Sequence, residues 1–260
     1  MDIQALLPPL FEAAHKAAVL VEADSARPKV VTHKADGSPA TPTDAAAERI
    51  IVEAIRAQCA IPIVAEEEFE AGLTPKIDPD GAFFLVDALD GTRDFIRGGQ
   101  DFTVNIALVD RRVPVLGIII APALHLMWHA IAGQGAFRNS EERISVRTAE
   151  MGGIRLLGGK KAAMPEVLEP FVGAHTVSGR EQRSSSLKFC LLAEGQADLY
   201  PRVGETCEWD TAAGDIILRE AGGTVLDIET GKPIVYGKQD QRFINRGFIA
   251  GNRNTFLPRI

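Results

Sequence analysis

The sequence is poor in the features that mark membrane, secreted and nucleic-acid-binding proteins. No apolar run approaches the roughly 18–20 residues of a membrane span. The opening Met1-Asp2-Ile3-Gln4 has no basic stretch leading into an apolar core, so no secretory signal is expected. Cysteine is scarce. Cys59, Cys190 and Cys207 are far apart and odd in number, which points to reduced thiols in a cytoplasmic protein and lacks metal-site spacing. No internal repeat, low-complexity linker or D-x-D-x-D-G loop is present, which argues against a calcium-binding structural protein. Positive charge is in deficit, with 28 Lys and Arg against 35 Asp and Glu and a net charge of −7. Such a surface repels nucleic-acid polymers and anionic membranes. It would repel a small phosphate ester too, so an enzyme acting on one would need locally bound cations.

What is present is a globular composition: 46% hydrophobic and 24% charged residues over a 260-residue chain. That length builds one large domain or two tightly packed lobes. The chain is organised around Phe83-Phe84-Leu85-Val86-Asp87-Ala88-Leu89-Asp90-Gly91-Thr92. The apolar run reads as a buried strand that delivers Asp87 at its end. Asp90 follows, and Gly91-Thr92 should turn into a short helix. Two carboxylates this close repel unless a cation lies between them or one is protonated. Mg²⁺ is held by such oxygen ligands, with substrate phosphate completing the shell. The Gly91 and Thr92 amides suit an anion. An Asx-rich turn after a strand accounts for the same ten residues equally well.

In chain order, Pro9 to about Asp24 reads as a helix, and Lys29–Lys34 as an extended segment before a polar loop. Thr43 reads as the N-cap of a helix running to about Gln58, with Asp44 in its first turn. Ile61–Val64 reads as a strand running into Glu66-Glu67-Glu68. Three adjacent acids usually form a solvated loop. Here they follow an apolar strand, as Asp87 does, so two strands could bring their acids to one sheet edge. Residues 70–81 form a loop, and Phe102–Val109, Val113–Ile120 and Leu124–Ile131 form an antiparallel meander joined by short links. Gly133-Gln134-Gly135 continues it as a hairpin turn. Beyond Ser145 strands and helices alternate: Ile154–Leu157, Ala174–Val177, Ala197–Tyr200, Gly223–Asp227 and Arg246–Ala250 as strands, Met164–Phe171, Ser184–Glu194 and Glu208–Ala221 as helices. Asp210 falls at the start of the last helix, where capping alone would explain it.

Taken together, Phe84-Leu-Val-Asp-Ala-Leu-Asp-Gly-Thr92 and Glu208-Trp-Asp-Thr-Ala-Ala-Gly214 resemble the two signatures of the inositol monophosphatase superfamily of Mg²⁺-dependent, lithium-sensitive phosphatases. Lys34–Pro39, Phe102–Leu108, Ser185–Cys190 and Ala193–Pro201 are similar to one branch, the CysQ-type 3′(2′),5′-bisphosphate nucleotidases. The resemblance covers about residues 10–251. It implies an α/β layered sandwich like that of inositol monophosphatase and fructose-1,6-bisphosphatase. The N-terminal lobe (1–144) would hold an antiparallel sheet and the C-terminal lobe (145–260) a mixed sheet, with the metal site between them. It implies two or three Mg²⁺ ions, with Mn²⁺ as a substitute, on Glu66, Asp87, Asp90, Asp210 and the Leu89 carbonyl. Glu67 would act through a water. The Gly91 and Thr92 amides would hold the scissile phosphate, and the Thr92 hydroxyl, oriented by Asp44, would help take a proton from the attacking water. Ser185, Lys188 and Asp210 would contact substrate. The resemblance also admits a homodimer and a peripheral place at the inner membrane.

The sequence departs from the pattern at Ala88, where the family has Pro, at Arg183-Ser184, and at Leu157–Lys161, where Lys160 is a candidate for a second phosphate or a solvated loop residue. These changes touch nucleotide specificity rather than the phosphatase reading. The leading expectation is hydrolysis of 3′-phosphoadenosine 5′-phosphate to AMP and phosphate, the by-product clearance step of sulfate assimilation. An inositol or sugar monophosphate phosphatase is the alternative within the class. A non-catalytic metal- or nucleotide-binding regulator is the alternative outside it.

Overall fold

The Phe83–Val86 run sends its side chains into two different cores, and this decides the architecture. The computed structural model describes residues 2–34, 37–147, 153–158, 176–184 and 186–253. Helix α1 (Ile3–Ser25) is followed by the two-stranded hairpin β1 (Thr32–His33) and β2 (Pro39–Ala40), and then by α2 (Pro42–Gln58). Strand β3 (Ile63–Ala65) leads into the one-turn helix α3 (Glu66–Glu70), and β4 (Ala82–Asp90) leads into α4 (Thr92–Ile96). The meander is β5 (Thr103–Asp110), β6 (Val113–Ala121), β7 (Leu126–Ile131), β8 (Gly135–Arg138) and β9 (Glu142–Ile144). Among the described residues β3 to β9 form one sheet in chain order, antiparallel except that β3 joins β4 in parallel. The expected antiparallel sheet therefore carries a parallel edge pair.

Both faces of this sheet are covered, so β4 reads as a continuous apolar run rather than an alternating one. Phe84, Val86, Val104, Ile106 and Leu108 pack with Leu10, Ala14, Ala17, Ile51 and Ile55 of α1 and α2. The intervening residues Phe83, Leu85, Ala107 and Val109 point the other way, into a core shared with the second half of the chain. There β10 (Ile154–Leu157), β11 (Val177–Glu181), α5 (Leu187–Ala193), β12 (Leu199–Arg202), β13 (Thr206–Cys207), α6 (Ala212–Glu220), β14 (Gly223–Asp227), β15 (Ile244–Asn245) and β16 (Phe248–Asn252) follow in order. Strands β11-β10-β12-β16-β14 make a mixed sheet, parallel at β11-β10-β12 and antiparallel at β12-β16-β14. Helices α5 and α6 lie between the sheets, burying Phe189, Leu192, Ile216 and Ile217 in the shared core. Gly214 permits this layer, because a Cβ there would overlap the Phe189 ring. The layering and the mixed second sheet match the sequence reading. Among the described residues, no helix is long and apolar enough to cross a membrane.

Element ends differ from expectation where caps decide them. Helix α1 begins at Ile3, ahead of the expected Pro9, because the Asp2 carboxylate accepts from the Gln4 and Ala5 amides. Helix α2 is capped by Thr41 rather than Thr43, and Pro42 takes the first helical position. The acidic run is not a solvated loop but the helix α3, with all three glutamates half-buried. The helix expected over Glu208–Ala221 is a 3-10 turn, Glu208–Asp210, followed by α6. Strand β12 starts at Leu199, and the Ser184–Glu194 helix is confined to α5. The helix expected at Met164–Phe171 lies outside the described residues, as does the first part of the strand expected over Ala174–Val177.

Candidate active site

The parallel pair β3-β4 sets the site. Ala65 is in register with Val86, so Glu66 and Asp87, the next residue of each strand, emerge side by side. Asp210 reaches them from the 3-10 turn, where its Oδ2 accepts from the Cys207 amide at 2.8 Å. One oxygen from each of Glu66, Asp87 and Asp210 lies within 4.8 Å of the other two. Burial raises the Asp87 carboxyl well above the usual carboxylate range, and Glu66, Asp90 and Asp210 add to the rise. Asp210 is raised in the same way, by burial and then by Asp90 and Glu66. Burial also raises Glu66, with the Lys34 ammonium opposing it. Three carboxylates that resist ionising together accommodate a cation between them. The donors are all oxygen, which fits a hard divalent ion. The Cys207 thiol is pushed up by burial and by Asp210, so it stays protonated and offers no thiolate.

The strand is irregular where it must turn. The β4-β5 register shifts between Asp87 and Asp90, and the Asp87 carboxylate accepts from the Leu89 amide at 3.0 Å. Asp90 is outside the closest trio. Its Oδ2 accepts from the Ser186 amide at 2.8 Å and from the Ser186 hydroxyl at 2.7 Å. Gly91 then adopts a left-handed conformation, φ 94°, against the Asp101 carbonyl, which a Cβ would approach to 2.6 Å. Gly91 is the N-cap of α4, and Thr92 its first residue.

The Thr92 hydroxyl lies 3.0 Å from both the Asp44 Oδ1 and the Leu89 carbonyl, and its single proton serves one acceptor at a time. The other Asp44 oxygen accepts from the Thr41 amide and hydroxyl, at 2.8 and 2.6 Å. Asp44 thus completes the capping box of α2 and contacts Thr92 at once.

Two residues escaped the sequence reading. Lys34, from the hairpin, reaches Glu66 at 2.5 Å and Glu67 at 2.6 Å. Burial opposes its charge, but the two carboxylates outweigh that and hold its pKa above the ordinary value. The sequence pattern points to Ser185, which lies outside the described residues, rather than to Ser186. The Ser186 hydroxyl also lies 2.7 Å from the Asp210 carbonyl and accepts from Asn105 Nδ2 at 2.9 Å. It therefore ties Asp90, on the first sheet, to the segment carrying Asp210. Lys34 lies within a motif, Lys34–Pro39, that matched as a block and gave no role to its first residue.

Glu66, Asp90, Gly91, Thr92 and Asp210 line a cleft of about 950 Å³. The same cleft is lined by Arg180, Arg183, Lys188, Arg202 and Tyr200. Lys188 is 6% exposed, with its Nζ 4.7 Å from the Tyr200 ring centroid and 3.2 Å from the Arg183 carbonyl. Burial lowers its pKa to about 8, against the pull of Asp90. Arg183 pairs with Asp101 at 3.1 Å and Glu181 at 2.8 Å. Lys160 lies outside the described residues. One cleft thus holds carboxylates suited to a cation and cationic side chains suited to an anion.

The profile of the inositol monophosphatase family matches residues 2–257. The chain is 37% identical over 242 residues to the 3′(2′),5′-bisphosphate nucleotidase CysQ of Escherichia coli O157:H7, across 89% of this chain and 92% of that protein. The crystal structure of CysQ from Bacteroides thetaiotaomicron, described as a bacterial member of the inositol monophosphatase family, is similar with a TM-score of 0.79 and 32% identity. The match covers 97% of this chain and 98% of that one. The extragenic suppressor protein suhB of Bartonella henselae is similar with a TM-score of 0.76 and 29% identity, over 96% and 94% of the two chains.

Proposed function

The chain belongs to the inositol monophosphatase family, and on that premise we propose that it is a Mg²⁺-dependent phosphatase that hydrolyses 3′-phosphoadenosine 5′-phosphate to AMP and phosphate. The observation that carries the reading is one cleft lined by both kinds of charge: Glu66 and Asp210, gathered with Asp87 within 4.8 Å, and Lys188 with three arginines. A monophosphate needs the carboxylate cage alone. A bisphosphate also has use for the cations, and the curated relatives named for such a substrate favour it.

Glu66, Asp87 and Asp210, with Asp90 and the Leu89 carbonyl, would hold two or three Mg²⁺ ions. Mg²⁺ at this cage would supply Lewis-acid neutralisation of charge on the phosphoryl group and on the leaving oxygen. The chain's own residues do the rest. The amides of Gly91 and Thr92, at the turn into α4, cradle the scissile phosphate. Thr92 donates its hydroxyl proton to Asp44, 3.0 Å away, which turns an oxygen lone pair toward the cleft to accept a proton from the attacking water. Glu67, which Lys34 holds at 2.6 Å, would help to orient that water. Lys188 receives the distal phosphate beneath Tyr200.

Turnover of 3′-phosphoadenosine 5′-phosphate and of inositol 1-phosphate, compared under the same Mg²⁺ concentration, tests the substrate. The bisphosphate should be preferred by at least about tenfold in kcat/KM. That ratio is the least that a single extra charge-assisted contact supplies. Equal or faster turnover of the inositol ester would overturn the substrate assignment and leave the phosphatase.

A further inference from the structure

Helix α3 has a cap that it cannot make for itself. Its N-cap position is Ala65, which has no side-chain acceptor, so the first amides of the helix need an outside partner. That partner is Glu48, from the middle of α2. Its Oε2 accepts from the Glu67 amide at 2.7 Å and its Oε1 from the Glu68 amide at 2.9 Å. Glu48 is 3% exposed, and it is drawn on from 19 and 20 residues away in the chain. Both oxygens of a buried carboxylate are thereby committed to the backbone of the segment that carries Glu66.

Asp44 and Glu48 are one helical turn apart on α2, so they share a face. Asp44 faces Thr92, and Glu48 faces the amides next to Glu66. The same helix also reaches α3 through Arg56, whose Nη2 bonds both oxygens of Glu68 at 2.9 and 3.0 Å. That pair is of a different kind, because the arginine side chain is 58% exposed. An exposed ion pair contributes little, whereas a buried carboxylate bonded to two amides fixes the direction in which the helix leaves the strand.

From this geometry we infer that Glu48 is a positioning residue for the metal cage, setting the place of Glu66 relative to Asp87 and Asp210 through the backbone of α3. The inference rests on the proposed metal site and does not depend on the substrate. Glu48 touches no substrate and offers no free oxygen to a cation. Its effect reaches the site only through the peptide that Glu66 begins. Replacement by glutamine retains one acceptor and turns an NH₂ group against the second amide, which forces α3 to shift.

The test is Mg²⁺ affinity without substrate, by calorimetric titration of the full chain, with Mn²⁺ binding followed by paramagnetic resonance as the second reading. Glu48→Gln should weaken binding by about 10–100-fold, the range for groups that orient a metal ligand. Glu48→Asp keeps the carboxyl group and both acceptors but withdraws them by one methylene. It should fold and still lose about tenfold in affinity. Arg56→Ala should bind as the unaltered protein does. In a Glu66→Gln background, Glu48→Gln should have little further effect on the residual affinity. Unchanged affinity in a folded Glu48 variant, with only a lower melting temperature, would overturn the inference and leave Glu48 as a structural cap. Additive losses in the double variant would do the same. No metal binding by the unaltered protein would overturn both this inference and the proposed function. Poor turnover of the bisphosphate alone would touch only the substrate assignment.

Discussion

Ala65 and Val86 face each other across the parallel strand pair β3-β4, and this register places Glu66 beside Asp87. An antiparallel neighbour would have carried one of the two acids to the far end of the sheet. Removing the charge of either acid therefore tests the site and not the fold. Asp87→Asn relieves a carboxylate that burial, and then its acidic neighbours, hold well above its usual pKa, so the metal-free protein should be at least as stable as before. Turnover should fall by at least about a hundredfold, the scale of losing one electrostatic group in a site of this kind. Mg²⁺ should no longer raise the melting temperature. In the unaltered protein a concentration a hundred times the dissociation constant would contribute about 2.7 kcal/mol. Thermal melts with chelator and with Mg²⁺ read both effects. A Mg²⁺-induced rise that persists in Asp87→Asn would count against this ligand.

Asp90→Asn is the matching test at the acid outside the closest trio. It leaves the Ser186 contacts an oxygen to bond, so the chain should fold. It also removes a charge that Asp87 and Asp210 both feel. Most turnover should be lost at saturating Mg²⁺. Near-normal turnover there would remove Asp90 from the cage.

Ser186 has a different kind of role. Its hydroxyl lies within 2.7 Å of Asp90 and of the Asp210 carbonyl, and it accepts from Asn105. Ser186→Ala leaves those buried partners short of a bond, a cost of about 1–3 kcal/mol in stability. Because Asp90 and Asp210 lose a shared anchor, kcat should fall with little change in KM. Denaturant melts and steady-state kinetics on the same variant separate the two. A change in KM alone would mean that Ser186 contacts substrate instead.

What the sequence reveals and what it hides divide along contact distance. The strand Phe83–Val86, the turn at Gly91 and the meander are legible because period, turn chemistry and link length are local. Even the convergence of two acids at a sheet edge follows from two apolar runs ending in carboxylates. The cap of α2 lies two residues before the expected Thr43, at Thr41, and Pro42 at the first helical position marks it. The Glu66-Glu67-Glu68 run reads as solvated because nothing nearby shows its partners. Lys34 lies 32 residues before Glu66, and Glu48 lies 19 before Glu67. Ser186 meets Asp90 across 96 residues, and only the folded layers bring that pair together. The site's acids are thus visible one by one, while the groups that aim them are not.

Asp215 offers a test of the core beneath the site. It is buried, accepts from the Tyr236 hydroxyl at 3.0 Å and lies 3.1 Å from Arg219. Burial raises its pKa from 3.8 to about 6, with Arg219 opposing the rise. A carboxyl whose folded pKa is raised contributes stability that is complete below about pH 4 and lost as pH rises through about 6. The window is two pH units wide, so the swing is about 3 kcal/mol. Asparagine does not titrate. Relative to the unaltered protein, Asp215→Asn should therefore gain about 3 kcal/mol between pH 4 and pH 7, whatever its absolute stability. Urea unfolding at the two pH values measures the difference. A gap that stays constant would show that Asp215 ionises in the folded chain as easily as in the unfolded one.

Lys188 makes the cationic lining of the cleft testable by pH. Its pKa is lowered to about 8 by burial, and Arg202 nearby repels its charge further. Below pH 8 the ammonium is charged and meets an anionic group under Tyr200; above pH 8 it is increasingly neutral. The free-enzyme profile of kcat/KM for the bisphosphate should therefore fall on the alkaline side with a midpoint near 8. Bound phosphate favours the charged form, so the profile of kcat should fall at a higher pH. Lys188→Met should lower kcat/KM by roughly 10–100-fold at neutral pH, the range of one charge-assisted hydrogen bond. It should also abolish the alkaline limb. For a monophosphate substrate, which has nothing to place against this lining, the same variant should change kcat/KM little. An alkaline limb that survives the substitution would assign the titration to another group. Equal losses on the two substrates would mean that Lys188 acts on the reacting phosphate and not on a distal one.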